Sequence, residues 1–136
     1  MYALTEAMLT GVARLDSEHQ DLVTVINRID AAEQNGDAPE VVVQLTAFKD
    51  ALFRHFRSEE DYLDMESYPR KHAHESHHTG TIKTLEEMTD KVRSDPATLG
   101  KIAVNCFTEL LRNVLLMDME FLNWRAEQDR RQPRDR

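Results

Sequence analysis

The chain has 136 residues and a formal charge of −8, with 17 lysines and arginines against 25 aspartates and glutamates. This length predicts a single domain with one core, and the acidic balance argues against a nucleic-acid partner. The single cysteine, Cys106, excludes an internal disulfide, and the absence of a signal peptide or of any apolar stretch of about 18 residues predicts a cytoplasmic protein without a membrane span.

Helical spacing dominates the pattern of apolar residues, and the few glycines and prolines divide the chain into helical lengths. Residues 1–11 are predicted to form an irregular arm. Four helices are then predicted at about 16–34, 39–65, 70–93 and 97–125. The breaks between them fall at Asn35-Gly36-Asp37-Ala38-Pro39, at Tyr68-Pro69 and at Ser94-Asp95-Pro96. Because these connections are short, neighbouring helices must be antiparallel, which predicts an all-α, up-down-up-down four-helix bundle.

Polar residues interrupt the core-facing side of three of these helices. His55 and Glu59 are four positions apart, and so are His74 and His78, so each pair shares one face of a helix. His19 lies on the core-facing side of the first helix, among leucines and isoleucines at three-four spacing. Burying such groups without partners would be strongly unfavourable, so they are expected to have a common purpose.

An antiparallel bundle brings these five residues to one end, and Asp118 on the fourth helix falls at the same level. Four imidazoles and two carboxylates then converge, which is a donor set that suits a borderline divalent metal such as iron. Carboxylates can also bridge two ions. The sequence therefore predicts a buried metal site to which all four helices contribute.

At this point the chain resembles the bacterial hemerythrins, the oxygen-binding non-haem di-iron bundles. The motifs that carry the resemblance are LDSEHQ at 15–20, HFRSEE at 55–60, YPRKHAHESHH at 68–78 and the segment around Asp118. They occur in the family's order and cover essentially the whole chain. The resemblance implies two iron ions, one held by His19 and His55 and the other by His74 and His78, with Glu59, Asp118 and an oxo or hydroxo group bridging them.

Two positions of the fourth helix depart from the family pattern. Asn113 stands where the family has its fifth histidine, and Glu109 stands where the family usually has a tryptophan beside the oxygen pocket. Asparagine can coordinate a metal through its carbonyl oxygen, but it is a much weaker ligand for iron than imidazole. The iron held by His74 and His78 is therefore expected to have an extra labile position, and Glu109 is expected to reach this iron or to hydrogen-bond its water.

An extra labile position in an oxygen-binding di-iron domain favours binding of exogenous ligands and fast autoxidation over reversible oxygen storage. We therefore expect an oxygen or redox sensor. Similar hemerythrin domains are fused to signalling output domains such as diguanylate cyclases. Residues 1–126 would then be the di-iron domain, and the charged residues 127–136 an extension or linker. Extra apolar residues on the fourth helix favour contact with an output domain or a homodimer partner. The alternatives are a stand-alone oxygen carrier and a di-iron peroxidase, ferroxidase or nitric oxide reductase.

Other interpretations of the motifs fit less well. A ferritin-like di-iron site needs two Glu-x-x-His motifs, and the chain has one. A single zinc ion needs four ligands, fewer than the six groups that converge. His72 and His77 lie off the core-facing side, as do Glu60 and Asp61, and all four are expected to be solvated. Cys106 is expected to be a small buried residue without a basic neighbour to activate it.

Overall fold

The computed structural model describes residues 1–131, apart from the side chain of Leu115. Its helices are α1 (Ala13–Gln34), α2 (Ala38–Met65), α3 (Lys71–Ser94), α4 (Ile102–Arg112) and α5 (Met119–Arg131). A π-helical turn, Asn113–Asp118, joins α4 to α5, so these two helices form one long fourth helix. Single turns of 3-10 helix occur at Glu6–Met8 and Pro96–Thr98.

The helices pack in the order that short connections require. α1 contacts α2 and α4, and α2 contacts α3. This confirms the predicted up-down-up-down bundle. No strand occurs in the described range of 1–131, and none of its helices is both long and apolar enough to cross a membrane.

The apolar core fills most of the bundle because each helix carries apolar residues at three-four spacing. The main cluster contains Leu22, Val23, Ile26, Ile29, Leu45, Phe48, Leu52, Phe56, Leu85, Val92, Cys106 and Leu110, among others. A second, smaller cluster at the opposite end contains Leu63, Tyr68 and Phe121. The polar residues His55 and Glu59 lie along α2 between Leu52 and Leu63, so the predicted metal site is a polar layer between two apolar clusters.

The turn between α1 and α2 forms as its sequence predicts. Gly36 adopts a left-handed conformation with φ of 66°, which costs glycine no steric strain. The Asp37 side chain then caps α2 by accepting a hydrogen bond from the backbone N–H of Glu40 at 3.1 Å. Pro39 lies in the first turn of the helix, where its missing N–H costs nothing.

The fourth helix has different ends from those predicted. It begins at Ile102 rather than near residue 97, because residues 96–98 form a separate 3-10 turn that the Asp95 side chain caps. The carboxylate of Glu33, from the end of α1, accepts hydrogen bonds from the backbone N–H groups of Ile102 at 3.0 Å and Ala103 at 2.7 Å. At the other end α5 continues to Arg131, so the first residues of the predicted extension 127–136 are helical, and 132–136 lie outside the described residues.

Replacing Glu33 with alanine is expected to lower the free energy of unfolding by about 1–2 kcal/mol, because the first N–H groups of α4 lose the carboxylate that accepts their hydrogen bonds. Urea denaturation followed by circular dichroism measures the change. The matched control is Asp21→Ala, at an exposed position of the same helix, which is expected to change stability by less than about 0.5 kcal/mol. Equal losses in the two variants would contradict the capping role.

Candidate metal centre

Six chemically active side chains converge in the polar layer of the bundle, and all six are buried. They are His19 from α1, His55 and Glu59 from α2, His74 and His78 from α3, and Asp118 from the end of the π-helical turn. The structure therefore brings together every residue of the predicted metal-binding set.

Glu59 lies at the centre of this cluster. One of its carboxylate oxygens, Oε1, contacts the Nε2 atom of His74 and lies 3.0 Å from Nε2 of His78. Its other oxygen, Oε2, lies 3.3 Å from Nε2 of His55. One carboxylate thus faces imidazoles on both sides, which is the arrangement that a bridge between two cations requires.

Asp118 and His19 complete the cluster from the fourth and first helices. The Asp118 carboxylate lies 3.4 Å from Nε2 of His19 and 3.3 Å from Nε2 of His74. Nε2 of His19 is 3.0 Å from Nε2 of His55. The donor atoms form two compact groups: His19, His55, Glu59 and Asp118 make one, and Glu59, His74 and His78 make the other. Glu59 belongs to both groups.

Two further carboxylates lie behind the cluster and fix two of its histidines. Glu18 Oε1 is 2.8 Å from Nδ1 of His55, and Glu60 Oε2 is 2.8 Å from Nδ1 of His78. A carboxylate at Nδ1 holds the proton on that nitrogen and directs the lone pair of Nε2 to the opposite side. Both histidines therefore present Nε2 as a free ligand atom toward the centre of the bundle.

The sequence reasoning missed these outer carboxylates. Glu60 is predicted to be a solvated charge and not a ligand. It lies outside both donor groups, but its side chain is only 24% exposed and contacts His78, so the prediction of solvation is wrong. The sequence feature that could have revealed these carboxylates is their position next to predicted ligands: Glu18 precedes His19, and Glu60 follows Glu59. A residue next to a core-facing position is rotated by about 100° around the helix, which places it over the groove to the neighbouring helix.

The donor set fits a cation on structural grounds. Nε2 of His78 and Oε1 of Glu59 are both acceptors in the arrangement that Glu60 imposes, so a proton or a cation must lie between them. Glu59 Oε2 and both oxygens of Asp118 have no hydrogen-bond partner among the described residues, although all three atoms are buried. Unpartnered buried carboxylate oxygens are costly, and metal coordination is one of the few ways to satisfy them.

The pKa shifts in the cluster also indicate that its carboxylates favour a nearby positive charge. Burial opposes protonation of His55 and His74, but the carboxylates beside each imidazole outweigh it and raise the pKa of both to about 9. Burial alone would raise the pKa of Glu59, yet its histidine hydrogen bonds hold it well below the usual range. Burial, and then the charge of Glu59, raise the pKa of Asp118. Raised pKa values at His55 and His74 indicate that the two buried carboxylates favour a nearby positive charge.

Asn113 and Glu109 lie in different surroundings. Asn113 is buried, and its Oδ1 atom has no hydrogen-bond partner in the described part of the chain. Glu109 belongs to neither donor group, and its carboxylate pairs with Arg112 at 3.6 Å. The structure thus leaves an unpartnered oxygen at Asn113 but does not bring Glu109 into the cluster.

The π-helical turn explains how Asp118 enters the cluster. In an α-helix, residues five apart point about 140° away from each other, so Asn113 and Asp118 could not both face the core. A π-helical turn has more residues per turn and brings positions i and i+5 close to one face. Both residues are in fact buried, whereas Met117, which three-four spacing assigns to the core, is only half-buried. In the sequence, the five-residue spacing between Asn113 and Asp118 was the feature that could have predicted this π-helical turn.

The remaining reactive residues lie outside both donor groups. His72 is exposed, as predicted. His77 is partly buried, and its Nε2 atom is buried without a hydrogen-bond partner among the described residues, so the prediction that it is solvated is wrong. Burial lowers the pKa of His77. Cys106 is buried in the apolar core, and burial raises the pKa of its thiol to about 12, so the prediction of an inert cysteine is confirmed.

The fold and this cluster define a class of protein: a four-helix bundle with a buried histidine–carboxylate site for cations. Comparison with protein families gives the same answer, because the model of the "Hemerythrin HHE cation binding domain" matches residues 10–122. The chain belongs to the hemerythrin family, which confirms the resemblance. It is also similar to the protein named bacteriohemerythrin from Methylococcus capsulatus, with 24% identity over 92 residues, or 68% of this chain and 70% of that protein.

Replacing Glu60 with alanine is expected to weaken binding of ferrous iron by about 10- to 100-fold, because His78 loses the carboxylate that orients it. Competition with a chelator under anaerobic conditions measures the affinity. Asp61→Ala is the matched control, since it removes the same charge from the next, exposed residue. If both variants lost affinity equally, the effect would be one of net charge, and the positioning role of Glu60 would be rejected.

Proposed function

We propose that this hemerythrin domain binds two iron ions at the cluster and acts as a sensor of dioxygen or of redox state. His19 and His55 would hold one iron, His74 and His78 the other, and Glu59 and Asp118 would bridge them. The pair of irons would supply the electrons that reversible binding of dioxygen requires. The observation that carries the proposal is that Glu59 belongs to two donor groups at once, because one ion would leave part of the set unused.

The space beside the cluster supports a very small ligand. A void of about 10 Å³ is lined by Glu59, His74 and Asp118 on its polar side. Its apolar side includes Leu63 and Phe121. This volume is close to that of a single water-sized probe, so it suits a diatomic molecule or water and leaves no room for an organic substrate. The apolar lining also restricts access of water to this side of the cluster.

Asn113 supports a labile position at the second iron. Its side chain is buried, but its carbonyl oxygen has no protein partner in the described chain. An amide oxygen is a weak ligand for iron, so an exogenous molecule could compete with it for the metal. Such competition favours ligand sensing over stable storage. It is also the feature that would serve a di-iron enzyme, and turnover of peroxide or nitric oxide by the purified protein would favour that alternative.

The fourth helix offers a route from the iron site to a partner. Asp118 ends the π-helical turn, and α5 begins at the next residue. Short π-helical turns are rare and often lie at functional sites. The Tyr68 hydroxyl donates to Glu120 at 3.2 Å, which ties α5 to the turn between α2 and α3. A change in the position of Asp118 would therefore be transmitted along α5, which continues to Arg131, beyond the family match.

Loading the protein with ferrous iron under anaerobic conditions is expected to give two irons per chain, and admission of oxygen is expected to produce optical bands of an oxo-bridged ferric pair. Hydrogen exchange followed by mass spectrometry should then differ between the reduced and oxidised states in α5 but not in the middle of α1. α1 serves as the internal control because its apolar face lies in the main core. One metal or none per chain would reject the di-iron proposal, whereas unchanged exchange in α5 would reject only the sensor role.

Replacing Asn113 with histidine is expected to slow autoxidation severalfold, because imidazole would occupy the labile position. The decay of the reduced, oxygen-exposed protein, followed by absorption, measures the rate. Asn105→His, at an exposed position of the same helix, is the control and is expected to leave the rate unchanged. Identical rates in the Asn113→His variant and the unmodified protein would show that Asn113 is not beside a labile position.

A further inference from the structure

A second cavity, separate from the void beside the cluster, lies in the outer groove between α2 and α3. Its volume is about 410 Å³, within the range of small-molecule sites. Phe53, Phe56 and Arg57 line it from α2, and Lys83 lines it from α3. We refer to this cavity as the α2–α3 groove. Its inner end reaches His78, so it approaches the cluster from outside the bundle.

The groove has an aromatic floor and an aromatic wall. Phe56 is buried and stacks on the His78 ring, with centroids 3.8 Å apart and planes at 6°. Phe53 is a large apolar residue that is nevertheless 50% exposed. The Arg57 guanidinium lies 5.8 Å from the centre of the Phe53 ring. Exposed phenylalanine at the wall of a concave surface favours an occupant with an aromatic ring, which would cover the ring faces or edges.

The groove offers two cations, Arg57 and Lys83, to an anionic group. Neither Arg57 nor Lys83 has a carboxylate within ion-pair distance among the described residues. Because α2 and α3 are antiparallel and Glu60 contacts His78, these two cations lie at similar levels on opposite walls. Glu60 also lines the groove, but its carboxylate is already paired with His78. Glu86, the other acidic lining residue, is nearly one turn beyond Lys83, toward the Phe53 end.

We propose that the α2–α3 groove is a binding site for a small aromatic anion, such as a ring that carries a carboxylate or a sulfonate. The ring would pack against Phe53 and Phe56, and the anionic group would lie between Arg57 and Lys83. Planar guanidinium groups bind such oxyanions well, and the aromatic surface supplies the apolar contact. The site requires no metal, because each of these contacts belongs to the chain itself.

The test uses the full chain and the aromatic sulfonate 8-anilinonaphthalene-1-sulfonate. Isothermal titration calorimetry, with and without bound iron, is expected to show saturable binding of one molecule per chain. Lys83→Glu should weaken the affinity at least tenfold by reversing one of the two facing charges. Lys91→Glu makes the same change at an exposed position of the same helix outside the groove, and should alter affinity less than twofold. Phe53→Ala should also weaken binding, and its exposed position keeps the fold intact.

Amide chemical shifts of the metal-free chain locate the bound molecule. The expected shifts lie in residues 53–60 and 78–86, with near-ultraviolet circular dichroism unchanged, which shows that the probe binds the folded state. Equal affinities of Lys83→Glu and Lys91→Glu, or shifts concentrated around Trp124, would overturn the proposal. Binding to the metal-free chain is independent of iron content, so this result and a failure of the di-iron proposal are distinguishable.

Discussion

The constraint on which the structure depends is the charge balance of a buried polar layer. Two carboxylates, Glu59 and Asp118, lie among four imidazoles inside the bundle, away from water. Removing one ion from water costs several kcal/mol unless an opposite charge compensates it. Compensation here requires atoms from all four long helices, because the two carboxylates come from α2 and from the π-helical turn, and the histidines come from α1, α2 and α3. The site is therefore satisfied only when the whole bundle is in register.

The apolar clusters on each side of the layer make this register possible. The main core, from Leu22 to Leu110, supplies burial of apolar surface that does not depend on a metal. Phe56 marks the boundary, since it belongs to that core and also stacks on His78. At the opposite side, Tyr68 and Phe121 close the layer. The apolar layers of the helices thus stabilise the fold, and the polar layer between them forms the site.

Most of the fold and the inner site could be predicted because they depend on local spacing. Gly36 and Asp37 specify their turn within a few residues, and the pairs His55–Glu59 and His74–His78 specify shared faces. The interactions that were missed join residues distant in the sequence. Glu33 caps a helix about 70 residues further along the chain, and Glu60 meets His78 across a helix pair. Adjacency to a ligand points to Glu60 as a residue of interest, but it does not specify the partner, because the energy of such contacts depends on the relative positions of packed helices.

The two donor groups are built alike from the first three helices. Each group has one histidine with an outer carboxylate: Glu18 supports His55, and Glu60 supports His78. Each also has one histidine, His19 or His74, whose Nδ1 atom has no hydrogen-bond partner within the described residues.

The first three helices thus provide two similar sets of donors, and the difference between the groups comes from Asp118, which belongs to one of them only. Asp118 ends the π-helical turn. Asp118 therefore joins the cluster where the backbone of the fourth helix is least regular, and α5 begins at the next residue. The other five members of the cluster lie within regular α-helices. A displacement of Asp118 would therefore alter the start of α5, which is why the proposed sensor role assigns the output to that helix.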